Sequence, residues 1–209
     1  HVSFRYPSGN EDVLTDINFT ARPGQITAFI GATGSGKSTL INLIPRFYDI
    51  SSGSIRIDNV DVRRYDLKAL REKIGFIPQK ALLFTGSIND FITEKPKQFE
   101  EMIEEGGGNV SGGQRQRLSI ARAVVRKPDI YIFDDSFSAL DFKTDANLRK
   151  QLKYETKDAI TLIVAQRVTS IMDATRIIVL NEGAVVGMGT HRELLKTCSI
   201  YHEIALSQL

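Results

Sequence analysis

The residues best suited to chemistry lie in one contiguous stretch. Gly31-Ala32-Thr33-Gly34-Ser35-Gly36-Lys37-Ser38-Thr39 fit the pattern of a phosphate-binding loop, GxxxxGK followed by Ser or Thr. In such a glycine-rich turn successive backbone N–H groups point inward at phosphate oxygens, and the following helix start adds partial positive charge. Lys37 then reaches the outer phosphates, and the Ser38 hydroxyl is a ligand for Mg2+. A chance match in a chain of this length is roughly one in a hundred, and the flanks argue further against a mere turn. Residues 25–30 read as a strand through Ile26, Ala28, Phe29 and Ile30, and a helix opening near Lys37 carries Leu40, Ile41, Leu43 and Ile44. Strand, loop and helix together predict a nucleoside triphosphate site.

Three further clusters follow predicted strands. Ile130 to Phe133 are four apolar residues that run into Asp134-Asp135, which reads as a buried strand whose carboxyl end meets the phosphate site. Ile74 to Pro78 is a buried strand ending at Gln79, and Ile160 to Ala165 is a strand followed by Gln166-Arg167. Between them, Val110-Ser111-Gly112-Gly113-Gln114 precedes a helix predicted over Arg115 to Val125, which stops before Lys127-Pro128.

The elements that must hold these groups alternate between strand and helix. Residues 1–30 read as a small β layer with turns at Pro7-Ser8-Gly9-Asn10 and Pro23-Gly24, and Tyr6 sits where it could stack on a base or simply pack. A short hairpin turns at Asp58-Asn59, and a polar helix covers Leu67 to Lys73. Residues 81–108 carry helical fragments, Ile88 to Ile92 and Phe99 to Ile103, before the triple glycine Gly106 to Gly108. A polar helix follows over Thr144 to Tyr154, then paired strands, Arg176 to Leu180 and Ala184 to Met188. A last helix, opened by a Thr190–Glu193 capping box, runs towards Leu209. The alternation predicts an α/β fold with a mainly parallel sheet.

Composition narrows the function classes. The chain has 209 residues, 42% of them apolar, enough for one sizeable core. Its 27 basic and 25 acidic residues leave +2, too even for whole-molecule attraction to nucleic acid. The single Cys198 cannot form an internal disulfide. The longest apolar run, about Ala159 to Ala165, is far short of a membrane span, and the N-terminus lacks a signal-peptide pattern. If a membrane matters, another segment or chain supplies it. His191, His202 and Cys198 lack ligand-like spacing, which argues against a transition-metal site.

The phosphate loop, Gln79 after a strand, Ser111-Gly112-Gly113-Gln114, the apolar strand ending in Asp134, and Ser138-Ala139-Leu140-Asp141 occur in a set order. That order resembles the nucleotide-binding domains of ABC transporters over nearly the whole chain, in the style of bacterial multidrug and peptide exporters. The resemblance implies a single domain over 1–209: a P-loop core, an N-terminal antiparallel β subdomain, and a helical subdomain over about 80–127 carrying the signature. It implies ATP and Mg2+ as ligands, with Tyr6 stacking on adenine and the loop from Gly31 to Thr39 on the triphosphate. Ser38, Gln79 and Asp134 would serve the metal, and Gln79 would also act in catalysis by sensing the attacking water. Ser111, Gly113 and Gln114 would contact nucleotide held by a second such domain, with Asp141 crossing the interface. A transmembrane domain would be the other partner, at the cytoplasmic face of the cell membrane.

Two residues depart from that family's hydrolytic pattern. Asp135 stands where hydrolytic members place Glu, one methylene longer, and Gln166 stands where they carry His. Both changes fall on catalytic positions and none on the loop or signature, which predicts a degenerate site that binds ATP and turns it over slowly while completing a partner's site. An ordinary active homodimer, a soluble ABC protein and a regulatory subunit are the alternatives. The 32 positions from Gln79 to Ser111 are also fewer than the family's insert, and the abrupt join near Lys97-Gln98-Phe99 suggests that residues are missing there.

Overall fold

A computed structural model of the chain describes residues 1–80, 111–138 and 142–208, with backbone alone for 142–144. The expected helical fragments at 81–110, the join at Lys97–Phe99, and Ala139-Leu140-Asp141 lie outside the described residues.

The centre is a six-stranded sheet in the order β10-β9-β3-β8-β7-β6. Five strands run parallel: β9 (Arg176–Asn181), β3 (Ile26–Ile30), β8 (Ile160–Val164), β7 (Ile130–Asp134) and β6 (Ile74–Ile77). The edge strand β10 (Ala184–Gly189) pairs antiparallel with β9. Parallel strands covered on both faces must be apolar throughout, and β7, Ile-Tyr-Ile-Phe-Asp, is buried at every position.

Alternation along the strands sorts the core into two layers. Phe29, Ile132, Leu162, Val164 and Ile178 face α1 (Lys37–Leu43), α2 (Leu67–Glu72) and the two-stranded antiparallel sheet of β1 (Val2–Phe4) and β2 (Leu14–Ile17). Ala28, Ile30, Tyr131, Phe133 and Ile177 face the opposite layer. That layer holds α3 (Gly112–Val125), α4 (Phe142–Glu155), α5 (His191–Thr197) and α6 (Ser199–Leu206). The topology fixes the site: β3, β6, β7 and β8 all end at one edge of the sheet, and each end carries one of the polar clusters.

Several elements differ from the sequence reading. β3 belongs to the central sheet, not to the N-terminal layer, because it is flanked by β8 and β9. α3 begins at Gly112, not Arg115, since Ser111 and Gln114 form a capping box that overrides the weak helix preference of two glycines. The hairpin β4–β5 (Arg56–Ile57, Val60–Asp61) turns at Asp58 and Asn59 as expected, both with positive φ (50° and 64°). It stops at Asp61, whose side chain caps a 3-10 turn. The last helix breaks in two at Cys198, which is extended (φ −127°, ψ 105°). The bend lets both Leu194 and Tyr201 bury fully against the sheet.

Candidate nucleotide site

β3 delivers the chain to the carboxyl edge, and the loop turns there under tight constraints. A Cβ on Gly31 (φ 157°) would sit 2.0 Å from the Leu180 carbonyl oxygen, so only glycine fits. At Gly34 (φ 84°) a Cβ would meet no protein atom within 4 Å. It would project into a cleft of about 250 Å³ lined by Thr33, Gly34, Gly36, Lys37, Ser38 and Thr39 from the loop and α1, with Gln79, Asp135, Val164 and Gln166 opposite. This is an open cradle of the size and backbone character that phosphate oxygens need.

Lys37 is buried, and its ammonium folds onto its own loop. It donates to the carbonyl oxygens of Gly31 (2.9 Å) and Ala32 (2.7 Å) and to Ser35 Oγ (3.2 Å). Burial pulls its pKa below the ordinary lysine value, and the charges of Asp135 and Asp134 oppose that shift. Ser38 Oγ donates to Asp134 Oδ1 at 2.9 Å, which sets a hydroxyl and a carboxylate side by side. Hard oxygen donors of this kind suit Mg2+, so Ser38 and Asp134 fit the ion that the loop implies.

Asp135 is the junction of the site. Its backbone is left-handed (φ 47°), a conformation that costs a non-glycine residue about 1–2 kcal/mol. The turn is held by Asp135 N–H donating to the Val164 carbonyl (3.0 Å) and by Ser138 Oγ donating to the Asp135 carbonyl (2.8 Å). Two side-chain amides donate to a single carboxylate oxygen, Asp135 Oδ2: Gln79 Nε2 at 3.1 Å and Gln166 Nε2 at 2.8 Å. Burial pushes Asp135 above the usual carboxylate range, with the Gln79 bond opposing, and burial likewise raises Asp134.

Of the residues singled out in sequence, Thr33, Gly34, Gly36, Lys37, Ser38, Thr39, Gln79, Asp135 and Gln166 converge on the cleft, with Gly31, Ser35 and Asp134 supporting them. Tyr6 does not line it. Its hydroxyl bonds Thr39 Oγ1 (3.0 Å), and its ring packs edge-to-face on Phe4 and Tyr48. Ser111, Gly113 and Gln114 are also outside. Ser111 Oγ accepts from Gln114 N–H, and Gln114 Oε1 accepts from Ser111 N–H (2.8 Å). Sequence reasoning missed the convergence of two amides on one oxygen, and nothing in residue type or spacing signals it.

A family model described as ABC transporter matches residues 14–138. An uncharacterized ABC transporter ATP-binding protein of Mycobacterium tuberculosis is 43% identical, over 99% of this chain and 40% of its own length. A putative multidrug export ATP-binding/permease protein of Staphylococcus aureus is 38% identical, over 98% and 40%. The solved structure of a bacterial Atm1-family ABC exporter with ATP bound superposes with a TM-score of 0.93 at 31% identity, over 99% of this chain and 41% of that one. The chain thus spans about 40% of the length of the curated relatives it matches. The mycobacterial alignment runs over 233 positions against 209 residues here, so that relative carries residues this chain lacks.

Proposed function

This chain belongs to the ABC transporter family, and on that premise we propose that it is the ATP-binding motor domain of an exporter whose own site is degenerate. It binds Mg-ATP and hydrolyses it slowly, and it pairs head to tail with a second nucleotide-binding domain, most simply a different chain. There its Ser111, Gly113 and Gln114 complete the partner's active site. A transmembrane domain, fused or separate, holds the pair at the cytoplasmic face of the membrane, and closure on ATP drives transport.

The observation that carries this reading is the bonding of Asp135. A general base must reach the attacking water with a free lone pair, and a carboxylate held through one oxygen keeps lone pairs on the other, so reach decides. Here both amides of the cleft are spent on Oδ2, and the side chain is about 1.5 Å shorter than a Glu. Misplacement by about 1 Å costs up to ~100-fold. Gln166 can donate a hydrogen bond to a terminal phosphate but cannot carry a proton near neutral pH. Lys37, the loop N–H groups, Ser38 and Asp134 are all present, so binding is retained. Ser38 and Asp134 would hold Mg2+, which would supply positive charge to offset that of the phosphates. The relatives' extra residues are best placed between Gln79 and Ser111, where the longer segment would carry the signature to its partner.

A second reading has one observation in its favour. Burial raises the basicity of Asp135, as an active base would require. Steady-state ATP turnover against protein concentration separates the two, comparing the chain with Asp135→Glu combined with Gln166→His after both are shown to bind Mg-ATP. The degenerate reading expects the double change to raise turnover by about 10² or more with steep concentration dependence. Equal turnover would sink it in favour of an active homodimer.

A further inference from the structure

The segment that presents Gln166 is gripped from a distant part of the chain. Gln208 lies just beyond the end of α6, and its side-chain amide makes two hydrogen bonds to the backbone after β8. Its Nε2 donates to the Gln166 carbonyl oxygen at 2.8 Å, and its Oε1 accepts from Val168 N–H at 2.8 Å. A carbonyl at one position and an N–H two positions later are the pair of groups that an extended strand offers to a neighbour. A planar primary amide carries one donor and one acceptor side by side, so Gln208 acts as the N–H and C=O of one residue in a neighbouring parallel strand.

We infer that Gln208 is a positioning residue for Gln166: by holding the backbone on both sides of Arg167, it sets the direction in which Gln166 aims its own amide at Asp135. The relay is continuous, from Gln208 to the Gln166 carbonyl and from Gln166 Nε2 to Asp135 Oδ2 at 2.8 Å. The segment is fixed from its other end as well. Arg149 of α4 donates to the carbonyl oxygens of Thr169 (3.2 Å) and Ser170 (3.0 Å) and is paired with the buried Asp145 (2.8 Å). Before Gln166 the Ala165 N–H donates to the Phe29 carbonyl (3.1 Å), and after it the 169–170 end is held by α4; between these anchors the backbone is gripped by Gln208, an exposed side chain whose bonds compete with water. Through Gln208 the end of the C-terminal helix pair thus reaches the catalytic edge.

Gln208 matters to function only through the role proposed above for Gln166, so the test reads position directly and without nucleotide. In the full chain labelled with nitrogen-15, two signals are followed: the Gln166 side-chain amide resonances and the hydrogen-exchange rate of the Val168 backbone amide. Gln208→Ala is expected to shift the Gln166 resonances and speed Val168 exchange by roughly 2- to 10-fold, the factor one such bond supports. Gln208→Glu keeps the acceptor and loses the donor. It should therefore shift the Gln166 resonances while leaving Val168 slow, a split that general loosening would not produce. Unmoved Gln166 resonances in both variants, or Val168 exchange equally fast in both, would overturn the assignment. Failure to bind Mg-ATP would instead sink the functional reading and leave these signals to decide the positioning role by themselves.

Discussion

The cleft and the start of α3 solve opposite problems with the same materials, short polar side chains beside glycines. In the cleft, the loop from Gly31 to Thr39 is concave, and its groups converge on space that the chain leaves open. At α3, Ser111 and Gln114 close on each other and leave a finished, outward-facing helix end. One region is incomplete without a ligand, while the other is complete and faces outward. On the pairing proposed above, the contrast teaches that a half-site offered to a partner must be stable by itself, whereas a site for the chain's own ligand tolerates unfilled space.

Lys37→Ala tests the contrast most severely. It removes the ammonium from the concave side, and Mg-ATP binding by calorimetry should weaken roughly 10- to 100-fold, as expected for a bond to a charged group. An unchanged affinity would mean that the cleft is not the triphosphate site.

Asp135→Asn probes the same region through stability. Burial raises the folded-state pKa of Asp135 above its ordinary value of 3.8. Between 3.8 and the raised value the folded chain binds more protons than the unfolded one, so this group's contribution to stability falls as pH rises through that window. Above that window the cost is fully present. Asn, which carries no charge to bury and keeps an acceptor for the two amides, should then raise the melting temperature of the unliganded chain. The gain should shrink as pH falls towards 3.8. A lower melting temperature at pH 7 would show that the two amide bonds outweigh the burial cost.

Ser111→Ala should do least to the isolated chain. Loss of the cap costs about 1 kcal/mol of stability with Mg-ATP affinity unchanged. Its larger effect should appear only when a second nucleotide-binding domain is added, as lost stimulation of that domain's turnover. If affinity in the isolated chain falls as well, the separation between the two regions is broken.

The two regions also differ in how far the sequence foretells them. The phosphate loop is contiguous, and its glycines and Lys37 act within nine residues of one another, so type and order suffice. The buried strands are legible as apolar runs for the same local reason. Gln79 and Gln166 lie 56 and 31 positions from Asp135, and only the order of strands in the sheet brings them to one oxygen. The break at Cys198 is silent in sequence because no breaker stands there, and the bend is dictated by packing on the sheet. The start of α3 lies three residues before the expected Arg115, because the Ser111–Gln114 capping box carries the helix through two glycines. The family resemblance named Asp135 and Gln166 as departures; their mutual hydrogen bond required the fold.

The three bonds that Lys37 makes to its own loop bear on timing. A lysine left bare when nucleotide departs would raise the barrier to release, because charges would have to separate without replacement. Here the ammonium has the Gly31 and Ala32 carbonyls and the Ser35 hydroxyl to return to. In the role proposed above, an incoming phosphate would replace partners that the loop already supplies, and a departing one would leave the ammonium with them.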